Sequence, residues 1–197
     1  MTILTELEDA IHSCQRCHLH QTRKNAVPGE GNPDAAIMFI GEAPGSREDQ
    51  TGRPFVGRAG TVLDQALESA DVKRDEVYIT NVVKCRPPDN RNPTRHEIET
   101  CTPFLDEQIS RIAPSVICTL GTFAAGYVLS AYGFAAGPLS AIHGTVYRSP
   151  LAMLNIVPLY HPAAALYNPG LREVIQSDMH RVASLLDATG KTRRDAP

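Results

Sequence analysis

Apolar positions along the chain fall into two spacings. Leu4, Leu7 and Ile11 recur as they would on one face of a short helix over Thr5 to Ser13. Four compact apolar runs then follow: Ala35 to Ile40, Val77 to Thr80, Ser115 to Leu120 and Leu154 to Leu159. Each is too short for a helix and is bounded by glycine, asparagine or proline, so each predicts a buried strand. Helical spacing returns between them. Val62, Leu63, Ala66 and Leu67 predict a helix from Gly60 to Ala70. Thr94 followed by Glu97 is a capping box opening a helix that runs to about Ile112. Further helices are expected over Thr122 to Ala131 and Leu171 to Leu186. Pro28 to Pro33, Gly45 to Gly57 and Pro87 to Pro93 read as loops, and Gly137 to Ser149 as a loop with a short hairpin.

Strands alternating with helices imply an α/β fold with a mainly parallel sheet and helices on both faces. No internal repeat or linker divides the chain, so residues 1–190 are expected to form a single domain and residues 191–197 a disordered tail. In such sheets ligands bind beyond the carboxyl ends of the strands. Glu42, Asn81, Gly121 and His161 stand just past the four predicted strands. They point to one shared site.

Composition adds limits more than direction. Hydrophobic residues make up 42% and charged residues 21% of the chain, ordinary values for a globular protein. No apolar run approaches a membrane span and the first ten residues do not resemble a signal peptide, so the expected location is cytoplasmic. The net charge of −3 does not announce a nucleic-acid partner. Its distribution leaves one open, because phosphate contacts need only a basic face. Lys84, Arg86, Arg91 and Arg95 cluster in one stretch, and Arg47, Arg53 and Arg58 flank another.

The strand-end loop Gly41-Glu42-Ala43-Pro44-Gly45 could bring backbone amides close to a ligand, or be a plain tight turn. It lacks the spacing and lysine of a phosphate loop. Phe55, in a loop with no period to bury it, could cover a core edge or offer a stacking face to a base. Asn81 could cap a strand or read a nucleobase edge with one donor and one acceptor. His161, held extended before Pro162, could be structural or could donate to a developing anion.

Five cysteines in a chain expected to be cytoplasmic argue against a disulfide framework. Cys118 lies inside an apolar run and reads as a core thiol. Cys14 and Cys17 form a Cys-x-x-Cys pair, whereas Cys85 and Cys101 lie far downstream and apart. Four thiolates suit either zinc or an iron–sulfur cluster, and spacing leaves both open.

Taken together, Gly41 to Gly45, Glu48 to Gly60, Thr80 to Pro93, the Glu97-x-x-x-Cys101 step and His161-Pro162 resemble the family 4 uracil-DNA glycosylases. The resemblance runs from the first cysteine pair to the last helix, in the family's order. It implies a three-layer α/β/α fold around a four-stranded, mainly parallel sheet. It also implies one structural 4Fe-4S cluster on Cys14, Cys17, Cys85 and Cys101.

The implied activity is hydrolysis of the N-glycosidic bond of a flipped-out uracil, leaving an abasic site. Uracil would stack on Phe55, with backbone groups of Gly41, Glu42 and Ala43 near its carbonyls. Asn81 would read the O4 and N3–H edge, and His161 would donate to O2. Glu42 would position water or balance the sugar cation, and Glu48 would sit near C5. Asn90 stands where covalent-trapping relatives carry a histidine, which argues for ordinary turnover. The partner is uracil-containing DNA, no membrane is involved, and a monomer is expected. A non-catalytic or covalent-trapping DNA-binding Fe–S protein of the same fold is the alternative. Three departures from the family pattern stand out: Ser46-Arg47 where acidic residues are common, Tyr167 where an arginine often stands, and His96, read as a surface helix residue.

Overall fold

The computed structural model describes residues 4–149 and 152–189, so the expected tail at 191–197 lies outside the described residues. Helix α1 (Thr5–His12) leads through a 3-10 turn to strand β1 (Glu30–Gly31) and then β2 (Ile37–Gly41). Helices α2 (Ser46–Thr51) and α3 (Arg58–Ser69) precede β3 (Tyr78–Asn81), and α4 (Arg95–Ile112) precedes β4 (Val116–Leu120). The chain continues through α5 (Thr122–Ala131), α6 (Leu139–Ile142), β5 (Tyr147–Ser149), β6 (Leu154–Leu159), α7 (Ala164–Tyr167) and α8 (Leu171–Thr189).

The sheet is six-stranded and mixed, in the order β1-β3-β2-β4-β6-β5. This corrects the expectation of four strands. β3, β2, β4 and β6 run parallel in the middle, and short antiparallel strands β1 and β5 close the two edges. Neither edge strand carries a hydrophobic period of its own: β1 is two residues long, and β5 falls within the stretch expected to be a loop with a short hairpin.

The central strands are buried on both faces, and their side chains alternate between two cores. Met38 and Ile40 of β2, with Ile117 and Ile156, pack against α1, α4 and α5. Ile37 and Phe39, with Val116, Cys118 and Val157, pack against α3 and α8. The result is helices on both sides of a sheet. Cys118 is fully buried, as its apolar run implied.

Gly45 to Gly57, expected to be one long loop, contains α2. This helix buries only Asp49, so no apolar stripe betrays it. Polar contacts hold it instead. The Asp49 carboxylate accepts from the Lys24 amide at 2.9 Å, and Asn25 Nδ2 donates to the Asp49 carbonyl at 2.8 Å.

Candidate active site

The carboxyl ends of the central strands bring four of the expected residues together. Parallel pairing sets Gly41 of β2 beside Asn81 of β3. A Cβ on Gly41 would lie 2.4 Å from Asn81 Oδ1 and 2.7 Å from Phe55 Cζ. Only glycine lets these two side chains approach the same spot. Phe55 in turn faces His161, with ring centroids 5.7 Å apart and planes tilted by 34°. Gly121, also expected at the rim, contributes by lacking a side chain: its Cβ would lie 3.1 Å from that of His161.

Asn81 is only 1% exposed, and its Oδ1 has no hydrogen-bond partner among the described residues. A buried acceptor without a donor is costly, so the group is built to receive one. The state of His161 follows from a single contact. The Ala163 amide donates to His161 Nδ1 at 3.1 Å, which leaves the ring proton on Nε2. Burial, opposed by nearby Glu48, lowers the His161 pKa to about 4, so the ring is neutral at pH 7. His161 therefore presents a neutral N–H donor.

Glu42 is half-buried just past β2, and burial raises its carboxyl above the ordinary value. The Gly41 and Glu42 carbonyls accept from Val82 and Val83, which carries the β2–β3 ladder past the strand ends. Ala43 is half-buried beside them. Glu48 has a definite structural task. Its Oε1 accepts from the Val56 and Gly57 amides at 2.9 and 2.8 Å, at the positive end of α3. Asn90 is exposed, and its Oδ1 accepts from Arg86 Nε at 2.8 Å. No contact among the described residues joins it to Phe55, Asn81 or His161.

On the other side of β3, Cys14, Cys17, Cys85 and Cys101 line one small cavity. No three His, Cys, Asp or Glu side chains among the described residues gather as a single-ion site. Two donors aim at the sulfurs. Arg23 Nη1 donates to Cys85 Sγ at 2.9 Å, and the Lys84 amide donates to Cys101 Sγ at 3.2 Å. Burial pushes the Cys101 thiol up to about 11 and also raises Cys17 and Cys85. Metal binding there must displace protons.

The basic stretch read from the sequence needs correction. Lys84 is 1% exposed and cannot meet a phosphate. Its Nζ donates to Thr80 Oγ1, the Asn81 carbonyl and Gln108 Oε1, at 2.6, 2.7 and 2.6 Å. Burial lowers its pKa to about 7. Arg91 is committed to Glu97 and Arg95 to Glu99, and His96 is exposed as expected. Sequence reasoning passed over Lys84, Gly60, Glu30 and Arg74 as site-building residues. Glu30 and Arg74 act across segments distant in sequence, and at Lys84 and Gly60 no hydrophobic period or cap signals the role.

A family model described as the uracil DNA glycosylase superfamily matches residues 28–183. The type-4 uracil-DNA glycosylase of Sulfurisphaera tokodaii is 47% identical over 188 residues, spanning 94% of this chain and 86% of the relative. That of Archaeoglobus fulgidus is 44% identical over 94% of both chains. That of Saccharolobus solfataricus is 44% identical over 95% of this chain and 88% of the relative.

Proposed function

The chain belongs to the uracil DNA glycosylase superfamily, and from that premise we propose how its own residues carry out the reaction. The protein excises uracil from DNA by hydrolysing the N-glycosidic bond, leaving an abasic site. The orphaned Asn81 Oδ1 carries the specificity reading. Uracil N3–H is the donor it lacks, and Asn81 Nδ2 donates to O4. Cytosine presents an acceptor at N3 and a donor at C4, so it leaves both amide groups opposed. Phe55 supplies the stacking face, and Gly41 the space in front of it.

Bond cleavage places negative charge on the base and positive charge on the sugar. His161 Nε2–H, fixed as donor by the Ala163 amide, stabilises the charge on O2. A neutral donor suits this role because no proton has to be shed or gained beforehand. Glu42, raised by burial, orients water or balances the sugar cation. Glu48 holds the loop that carries Phe55, a role its two amide contacts support better than one near uracil C5. An amide at Asn90, tied to Arg86, fits turnover rather than covalent trapping.

The four-cysteine cavity fits a 4Fe-4S cluster. All four thiols line the same cavity, and Arg23 and the Lys84 amide supply hydrogen bonds to sulfur. When bound, the cluster supplies a cross-link between chain segments, and glycosidic hydrolysis requires no redox step. Tyr167, 89% exposed on α7 just after His161, stands ready as a wedge beside the flipped base. Residues 1–190 are read as one domain. It acts as a monomer in the cytoplasm, and only Met153 and Tyr167 among the described large hydrophobic residues are exposed. No helix among the described residues is long and apolar enough to cross a membrane.

The test is a uracil-containing oligonucleotide incubated with cluster-loaded protein and then treated with alkali. Strand breaks at uracil are expected from the native chain and should be lost with His161→Ala or Asn81→Ala. Breaks undiminished in both variants would remove the assigned roles.

A further inference from the structure

The backbone at Phe55 is strained. Its φ is +49°, a left-handed conformation that is costly for a bulky residue and persists only where surroundings enforce it. The enforcing contacts can be named. The peptide unit after Phe55 is held by Glu48, which accepts from the Val56 amide at 2.9 Å. The Phe55 carbonyl lies against the start of α3, where a Cβ on Gly60 would fall 1.9 Å from its oxygen. The peptide unit before Phe55 is held by Arg74, whose Nη2 donates to the Pro54 carbonyl at 2.6 Å. With the planes on both sides pinned, the rotations about the Phe55 Cα are held, and with them the direction of the Cα–Cβ bond that carries the ring towards Gly41 and His161.

Arg74 is itself immobilised. Its Nη1 donates to Asp64 of α3 at 2.7 Å, and its Nε reaches Glu30 of β1 at 3.4 Å. Glu30 also accepts from Arg53 Nη2 at 3.0 Å, on the same loop as Phe55. All three guanidinium nitrogens are thus used, each on a different chain segment. A planar fork can do this, and a lysine ammonium on a flexible stem cannot reproduce it. The side chain is 24% exposed, so solvent screens these contacts only in part.

We propose that Arg74 is a positioning residue for base recognition, holding the Phe55 ring in its strained pose through the Pro54 carbonyl. The proposal rests on the reading of Phe55 as the stacking face. It also gives the two-residue strand β1 a purpose, since that strand delivers Glu30 to the guanidinium.

A double-mutant cycle tests it, using Arg74→Lys, Phe55→Leu and the pair together in cluster-loaded protein. The readouts are single-turnover cleavage of a uracil oligonucleotide, inhibition by free uracil and thermal melting. Arg74→Lys should slow cleavage roughly 10- to 100-fold and weaken inhibition by uracil, as a small misplacement of a reacting group does. In the Phe55→Leu background the same change should cost little, because the ring it positions is gone. Equal losses in both backgrounds, or an unchanged rate in Arg74→Lys, would overturn the role of Arg74 alone. Cleavage at the native rate by Phe55→Leu would instead remove the stacking reading and the proposal with it. If Arg74→Lys does not fold, Glu30→Gln completes the cycle, since it loosens the guanidinium while keeping the size of its partner.

Discussion

Asn81 keeps an acceptor oxygen buried with no donor among the described residues to meet it, a state that costs about 1–3 kcal/mol until one is supplied. The same cost falls on any base with the wrong edge. Asn81→Asp changes the edge that the pocket presents, so the ratio of uracil to cytosine excision should fall by about tenfold or more. Parallel assays on matched oligonucleotides measure it, and an unchanged ratio would contradict the assignment. His161 makes a prediction in pH. Its folded pKa of about 4 lies below the ordinary value of 6.5, so the unfolded chain binds more protons between them. Stability from this residue is therefore complete above pH 6.5 and declines as pH falls towards 4. Melting of the native chain should drop more from pH 7 to pH 5 than that of His161→Asn. Cleavage should begin to fall as Glu42 takes up its proton, above the ordinary carboxylate value, and fall further as His161 protonates near pH 4. Both residues were legible in the sequence because each stands where a strand ends and polarity begins. Lys84 was not, since a lysine gives no local sign that Thr80, Gln108 and a main-chain carbonyl will enclose it.

At the scale of elements, hydrophobic period located the four central strands and the helices that pack on them, because apolar burial makes them. It failed where polar contacts do the holding. α2 is fixed through Asp49, and β1 through two ladder positions and Glu30. The capping box at Thr94 was legible, but not the reach of its glutamate. Glu97 accepts from the Thr94 amide at 2.7 Å and from both terminal nitrogens of Arg91. His18, next to Cys17, lies 2.9 Å from the same carboxylate. One buried group thus fastens the start of α4 to the Arg91 loop and the first cysteine segment. The Arg91 guanidinium, ahead of the Thr94 amide, lowers the Glu97 pKa to about 2. Glu97→Gln should destabilise the fold at neutral pH, because the half-exposed Arg91 guanidinium and the Thr94 amide lose their charged acceptor. The gap between the native chain and the variant should be full above about pH 4.5 and close as pH falls through 2. Denaturant melts across that range measure it, and a gap independent of pH would refute the ion-pair account.

Across the whole molecule, the two sites stand on opposite sides of β3 and its following turn, joined by a short stretch of chain. Asn81 ends the strand, Lys84 anchors to the Asn81 carbonyl, and Cys85 follows at once. The Lys84 amide meanwhile donates to Cys101 Sγ on α4. Phe55 and His161 lie in or beside the other core, against α3 and α8. A cross-link among the four cysteines therefore bears on Asn81 more directly than on Phe55. With the proposed cluster bound there, removing its iron with a chelator should lower the melting temperature and raise amide exchange over residues 11–23 and 82–101. α3 and α8 should keep their protection, because their core does not include the cysteine cavity. Cleavage of uracil should weaken together with discrimination against cytosine, as the residue nearest the loosened segment is Asn81, the one proposed to read the base. Hydrogen exchange with mass spectrometry on loaded and chelated protein follows both faces at once. Exchange that rises equally in α3 and α8 would mean that the cluster supports the whole fold. Exchange that rises on the α4 side alone would make it a local brace behind the base-reading strand.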